Sequence, residues 1–171
     1  IIIVLLIVIA LVGYVFLMYK KNETFNIPET CDINEKPIMP QGINTHVLVT
    51  KEKELKSAQF IKLKDFSIDD LPYINYHIGF FNKEKNVYAI ISQDIPNPIQ
   101  KFLGVYDLPY ITVMSVFDNG SDLRTTTKKG IEKEVYSKYR KVEYHEENLI
   151  NFIVDKHIQR VDFVETTGVM E

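Results

Sequence analysis

The chain has 171 residues, with 20 Lys+Arg against 23 Asp+Glu and a formal net charge of −3. That balance argues against a nucleic-acid binder, which normally presents a basic face. The single cysteine excludes an intramolecular disulfide, a Cys-Xaa-Xaa-Cys redox pair and a cysteine-built zinc site.

Every charge falls after residue 19, and every earlier position except Gly13 is hydrophobic. Ile1 to Met18 makes ~27 Å of helix, close to the ~30 Å hydrocarbon thickness of a bilayer. Tyr19, Lys20 and Lys21 come next as an interfacial stop. The spacing therefore predicts a single transmembrane helix over 1–19 that contacts the lipid bilayer. A signal-peptide core would be shorter and end in small residues, and neither holds. Lys20 and Lys21 favour a cytoplasmic or matrix-like side for the rest of the chain. The chain opens without Met, so residues before Ile1 are expected and the other flank cannot be counted. The side stays open, and the membrane is expected to be a mitochondrial inner membrane or the endoplasmic reticulum.

Residues 20–44 carry Pro28, Pro37, Pro40 and Gly42 and read as an extended stalk. Cys31 sits in it, either as an inert thiol or as an intermolecular bridge. One domain of roughly 100–150 residues is expected beyond it.

Thr45–Thr50 is β-branched and reads as a strand, followed by polar helix formers over Lys51–Ser57. Gln59–Phe66 alternates, again strand-like. Ser67, Asp69 and Asp70 signal a helix start, with Leu71, Ile74, Ile78 and Phe81 on one apolar stripe. Ile74, Tyr76, Ile78 and Phe80 also alternate with period two. The same stretch could thus be a strand paired with Val87–Ser92 across residues 82–86. Periodicity leaves both readings open.

Val87–Ser92 and Ile111–Phe117 read as buried strands, the second ending in a turn at Asp118-Asn119-Gly120. A short helix is expected from Asn97-Pro98 to Gly104. Residues 121–134 read as an exposed loop, Val135–Arg140 as an edge strand and Glu146–His157 as an amphipathic helix. Residues 159–171 read as a tail.

Over residues 94–117 the chain resembles the thioredoxin family, in Asp94, Asn97, Pro98, Gly104, Val105, Pro109 and the strand Ile111–Phe117. The resemblance covers about 45–158. It implies a thioredoxin-like three-layer α/β/α domain behind the membrane helix, and it selects the helical reading of Leu71–Phe81. It also implies structural roles for Gly104 and Pro109, with a cis Leu108–Pro109 bond. A trans bond there would favour the β-meander that the alternation permits. The family's Trp-Cys-Xaa-Xaa-Cys motif is missing: Asp65–Pro72 holds no cysteine, so disulfide exchange is not expected.

Other chemistry is thinly marked. His46, His77, His145 and His157 are scattered, without metal-ligand spacing, and read as surface or packing residues. The Asp69-Asp70 and Glu146-Glu147 pairs are explained by helix starts. No phosphate-cradle pattern appears. Asn22 and Asn119 head glycosylation sequons, the second on a hairpin tip. No catalytic residue, cofactor or metal is expected. The residues point to a non-catalytic, membrane-anchored module acting through protein contacts, an accessory subunit whose partners are other membrane-complex subunits. The alternatives are a redox-inactive chaperone of the secretory lumen, similar to protein disulfide isomerase domains, and a redox protein using Cys31.

Overall fold

The computed structural model describes residues 13–14, 32–35, 37–69, 73–98, 108–128, 140–146 and 149–168. Contacts divide the chain into two units, Ile1–Cys31 and Asp32–Glu171. In the first, Gly13 and Tyr14 are helical. Among the described residues no helix is long and apolar enough to cross a membrane. That corrects the expected single-pass anchor and its organelle membrane. Apart from Gly13 and Tyr14, the segment 1–19 lies outside the described residues, as do Asn22 and Cys31.

The second unit is a seven-stranded sheet in sequence order. Its strands are β1 (Ile33–Asn34), β2 (Ile61–Ile68), β3 (Ile74–Asn82), β4 (Val87–Ile95), β5 (Tyr110–Val116), β6 (Asp122–Thr126) and β7 (Arg140–Tyr144). Neighbours run antiparallel except β6 and β7, which are parallel. Two helices complete it, α1 (Thr45–Ser57) and α2 (Ile150–Thr167).

The helix α1 forms over a β-branched run that locally prefers strand. Asn44 caps it, its side chain accepting from Val47 N at 3.2 Å while its own N–H donates to Gln93 Oε1 at 2.8 Å. Leu48, Lys51 and Leu55 then face inward at helical spacing. Burial, with a cap tied to β4, outweighs propensity.

The contested stretch is β3, so its period-two reading is the right one. Antiparallel pairing runs from Ile74↔Ile95 to Asn82↔Val87. The turn between them is held by Lys85 N donating to Asn82 Oδ1 at 3.0 Å and by Asn86 at φ 52°. Tyr76, Ile78 and Phe80 join Val87, Ala89, Ile91, Ile111 and Val113 on one face, packed against Leu48, Leu55, Ile150, Ile153 and Val154. Both helices cover that face.

This overturns the thioredoxin-like α/β/α fold class: a sheet of this order is a meander, with a final parallel strand. No peptide bond among the described residues is cis, so Leu108–Pro109 is trans. Pro109 is buried before β5, and Gly104 lies outside the described residues. The loop expected over 121–134 contains β6, with Leu123 and Thr125 buried. The expected tail is mostly helical, since α2 ends at Thr167, where Gly168 takes φ 69° and donates its N–H to Val164 O. The stalk's last part is also folded, Ile33 and Asn34 pairing with Ile68 and Ser67.

Candidate functional site

The second face of the sheet carries no described helix, and its side chains are set by the register. His77 opposes both Phe66 and Ser92, Ser92 opposes Tyr110, and Asn75 opposes Asp94. Alternation puts Asn75, His77, Ser92, Asp94 and Tyr110 on this face. All but Tyr110 are at most 6% exposed. Polar side chains this deep demand partners.

Asp94 Oδ2 receives Lys128 Nζ at 2.9 Å and the Tyr110 hydroxyl at 3.4 Å. The ammonium also lies 5.0 Å from the Tyr110 ring centre and 5.9 Å from that of Tyr73. Burial works against the Lys128 charge, yet Tyr110, Asp94 and Tyr73 outweigh it and hold the pKa above the ordinary lysine value. Burial, then the Asp94 charge, raises the Tyr110 phenol as well.

His77 Nδ1 lies 2.8 Å from Ser92 Oγ, and its ring stacks on Phe66 at 4.9 Å. Burial pushes the imidazole down to about 4, so at neutral pH it is uncharged. Either partner of the His77–Ser92 bond can supply its hydrogen, according to the imidazole tautomer.

Two atoms of the cluster are buried without a hydrogen-bond partner among the described residues, His77 Nε2 and Asp94 Oδ1. Asn75 is fully used, bridging Ile68 N, Ile68 O and Tyr73 O. With Tyr73 it lines a cleft of about 410 Å³, also bounded by Pro37, Ile38, Pro40 and Ile68. Among the described residues no group of three or more metal-ligating side chains is gathered.

At the other end of the same face the register builds an apolar row across four strands: Ile61, Phe81, Tyr88 and Met114. Phe81 and Tyr88 rings sit 4.8 Å apart, while Ile61 is 64% and Tyr88 39% exposed. This exposure corrects the expectation that Val87–Ser92 is buried on both sides.

The residues singled out in the sequence are not brought together. Pro109 precedes β5, whereas Asn119 lies in the exposed turn after it, its Oδ1 accepting from Ser121 N at 2.9 Å. His46 is on the surface and His157 in the core, as packing or surface roles imply. Lys128 was hidden in an apparent loop. The legible signal was the two-residue spacing of Asn75 with His77 and of Ser92 with Asp94, polar pairs inside apolar strands.

The chain matches no protein-family model, no curated protein and no solved structure.

Proposed function

We propose that residues 32–171 form a non-catalytic binding module that acts through protein–protein contacts, as an accessory subunit of a larger assembly. The observation that carries this reading is the apolar row on the open face. Ile61 and Tyr88 are exposed there beside Phe81 and Met114, and an aromatic-rich patch on a rigid sheet is what protein interfaces bury. The neighbouring edge supports it. Beyond Ser67 and Ile68, no strand is described on the outer side of β2, where Leu63 is 54% exposed. Lys62 and Lys64 on this strand discourage self-pairing while leaving room for a chosen partner. Residues 65–69 run through β2 into its following turn and hold no thiol, which gives disulfide exchange no support.

A photo-crosslinking residue placed at Tyr88, with the exposed Lys53 on α1 as control, tests the proposal. One defined adduct is expected from Tyr88 and none from Lys53, and Ile61→Lys should abolish it without changing the melting temperature. Equal labelling from both positions, or no adduct at Tyr88, would sink the idea.

A further inference from the structure

At the far end of the sheet from β2, a groove of about 750 Å³ lies between β7 and α2. Four consecutive residues of β7, Lys141 to Tyr144, bound it, facing Phe163 and Val164 of α2. The parallel register explains how consecutive residues can line one groove. Lys141 and Glu143 pair with Leu123 and Thr125 and share their helix-covered face, while Val142 and Tyr144 take the other. His145 N donates to Thr126 O at 2.9 Å, so Lys141 and Glu143, two and four residues earlier, likewise direct both backbone groups at β6. Val142 and Tyr144 therefore aim their N–H and C=O groups outward, into the groove. Among the described residues no strand pairs with that side of β7. The groove is also basic. Lys141, Lys156 and Arg160 line it against the single carboxylate of Glu143. Glu143 already meets Arg160 Nε at 2.5 Å and His145 Nε2 at 2.8 Å. Neither lysine joins an ion pair among the described residues; Lys156 Nζ lies 3.4 Å from Gln159 Oε1 and 5.7 Å from the Phe152 ring centre.

We infer that this groove binds an extended, acidic segment of another protein, which adds as a strand beside β7. The backbone pattern selects a peptide. Outward N–H and C=O groups repeating at strand spacing are matched by another backbone and by no small anion. The two lysines select its sign, on a chain whose own net charge is −3. Every second side chain of the added strand falls on the helix side. Carboxylates there meet Lys141 and Lys156, and an apolar residue between them covers Phe163, which is 47% exposed. The groove and the apolar row lie at opposite ends of the sheet, so neither surface depends on the other.

The test uses the full chain labelled with ¹⁵N and the capped peptide Glu-Thr-Leu-Thr-Glu. In the free chain the N–H groups of Val142 and Tyr144 should exchange with solvent far faster than those of Lys141 and Glu143. The peptide should shift both resonances saturably and slow their exchange about tenfold or more. A copy with N-methylated backbone keeps the charges but cannot pair, and should not bind; nor should a copy with Lys in place of Glu. Lys141→Gln combined with Lys156→Gln should weaken peptide binding about tenfold with the denaturation midpoint unchanged. If that variant fails to fold, the peptide series on the natural chain decides. Equal binding of the N-methylated copy would reduce the groove to simple charge attraction. Slow exchange already present in the free chain would mean that the edge is covered by the chain itself or, if it deepens with protein concentration, by a second copy. Either result, or no saturable shift, would overturn the inference.

Discussion

His77 and His157 are both buried in the same domain, at 6% and 0% exposure, and burial pushes each down to about 4. Their hydrogen bonding differs. His157 Nε2 meets Ser115 Oγ at 2.9 Å and its Nδ1 meets Thr125 Oγ1 at 3.0 Å, under α2. Arg160 adds a third contact to Thr125 and pairs with Glu143, closing that network. His77 has Ser92 on one nitrogen and, among the described residues, no hydrogen-bond partner on the other. Depth and charge state are therefore poor guides to role here. His157 has a complete partner set, as a packing histidine does, and His77 is the exception among these buried rings.

The largest effect should come from acid, where the two sites behave alike. Their folded pKa values of about 4 lie below the unfolded 6.5. Below 6.5 the unfolded chain takes up protons that the folded chain refuses. Stability is complete above that pH, falls as pH drops through the window and levels off below about 4. Each histidine should contribute about 3 kcal/mol to the fall. Near His77 the Asp94 charge opposes the shift and Lys128 reinforces it; near His157 only Arg160 acts, reinforcing it. Urea unfolding at pH 7, 5.5 and 4 checks this. A His→Leu change at either site should flatten the slope equally, and unequal flattening would break the likeness.

Lys128→Met separates the two regions. It strips the counter-charge from a carboxylate that is 7% exposed, at a cost of about 3–5 kcal/mol. Adding Asp94→Leu should recover most of that loss, because a buried pair can be exchanged for apolar packing. The environment of His157 should not respond to either. Denaturant midpoints for the single and double variants decide it, and a double variant as weak as the single would refute the pairing.

The histidines themselves should then diverge. His157→Leu leaves Ser115 and Thr125 without their shared partner and should cost about 2–3 kcal/mol. His77→Leu strands only Ser92 and removes an unsatisfied nitrogen, so about 1 kcal/mol is expected. Equal losses would erase the distinction between a closed and an open partner set.

Some of this was legible in the sequence, and the misses have physical causes. The strands β4 and β5 and the turn at Asn119–Gly120 were marked by apolar runs and turn chemistry, and Gly120 takes φ 79°. The helix α1 was missed because Thr45, Val47, Val49 and Thr50 favour strand, while its cap depends on Gln93 far along the chain. For β3 the residues carried two periods at once, and the family resemblance tipped the choice toward helix. β6 read as loop because Asp122, Arg124 and Thr126 are polar, although Asp122 is 8% and Thr126 0% exposed. The site was least legible. His77 and Asp94 become neighbours only through the antiparallel register, which no local pattern encodes.

The smallest effect sharpens the comparison most. Phe66 stacks on His77 with ring centres 4.9 Å apart and planes 26° from parallel. Phe66→Leu keeps an apolar side chain on β2 but opens one flank of the imidazole to water. Losing the ring contact should cost about 1 kcal/mol. Since burial is the leading cause of the lowered His77 pKa, partial hydration should raise it from about 4 toward 6.5. His157, enclosed by α2, β5 and β6, keeps all its neighbours and should titrate as before. Following both imidazoles by NMR through pH 3–8 reads the two values in one sample. A rise confined to His77 means that the open face can be wetted one side chain at a time. A rise at both would mean that the substitution loosens the whole sheet, and that the two histidines share one environment after all.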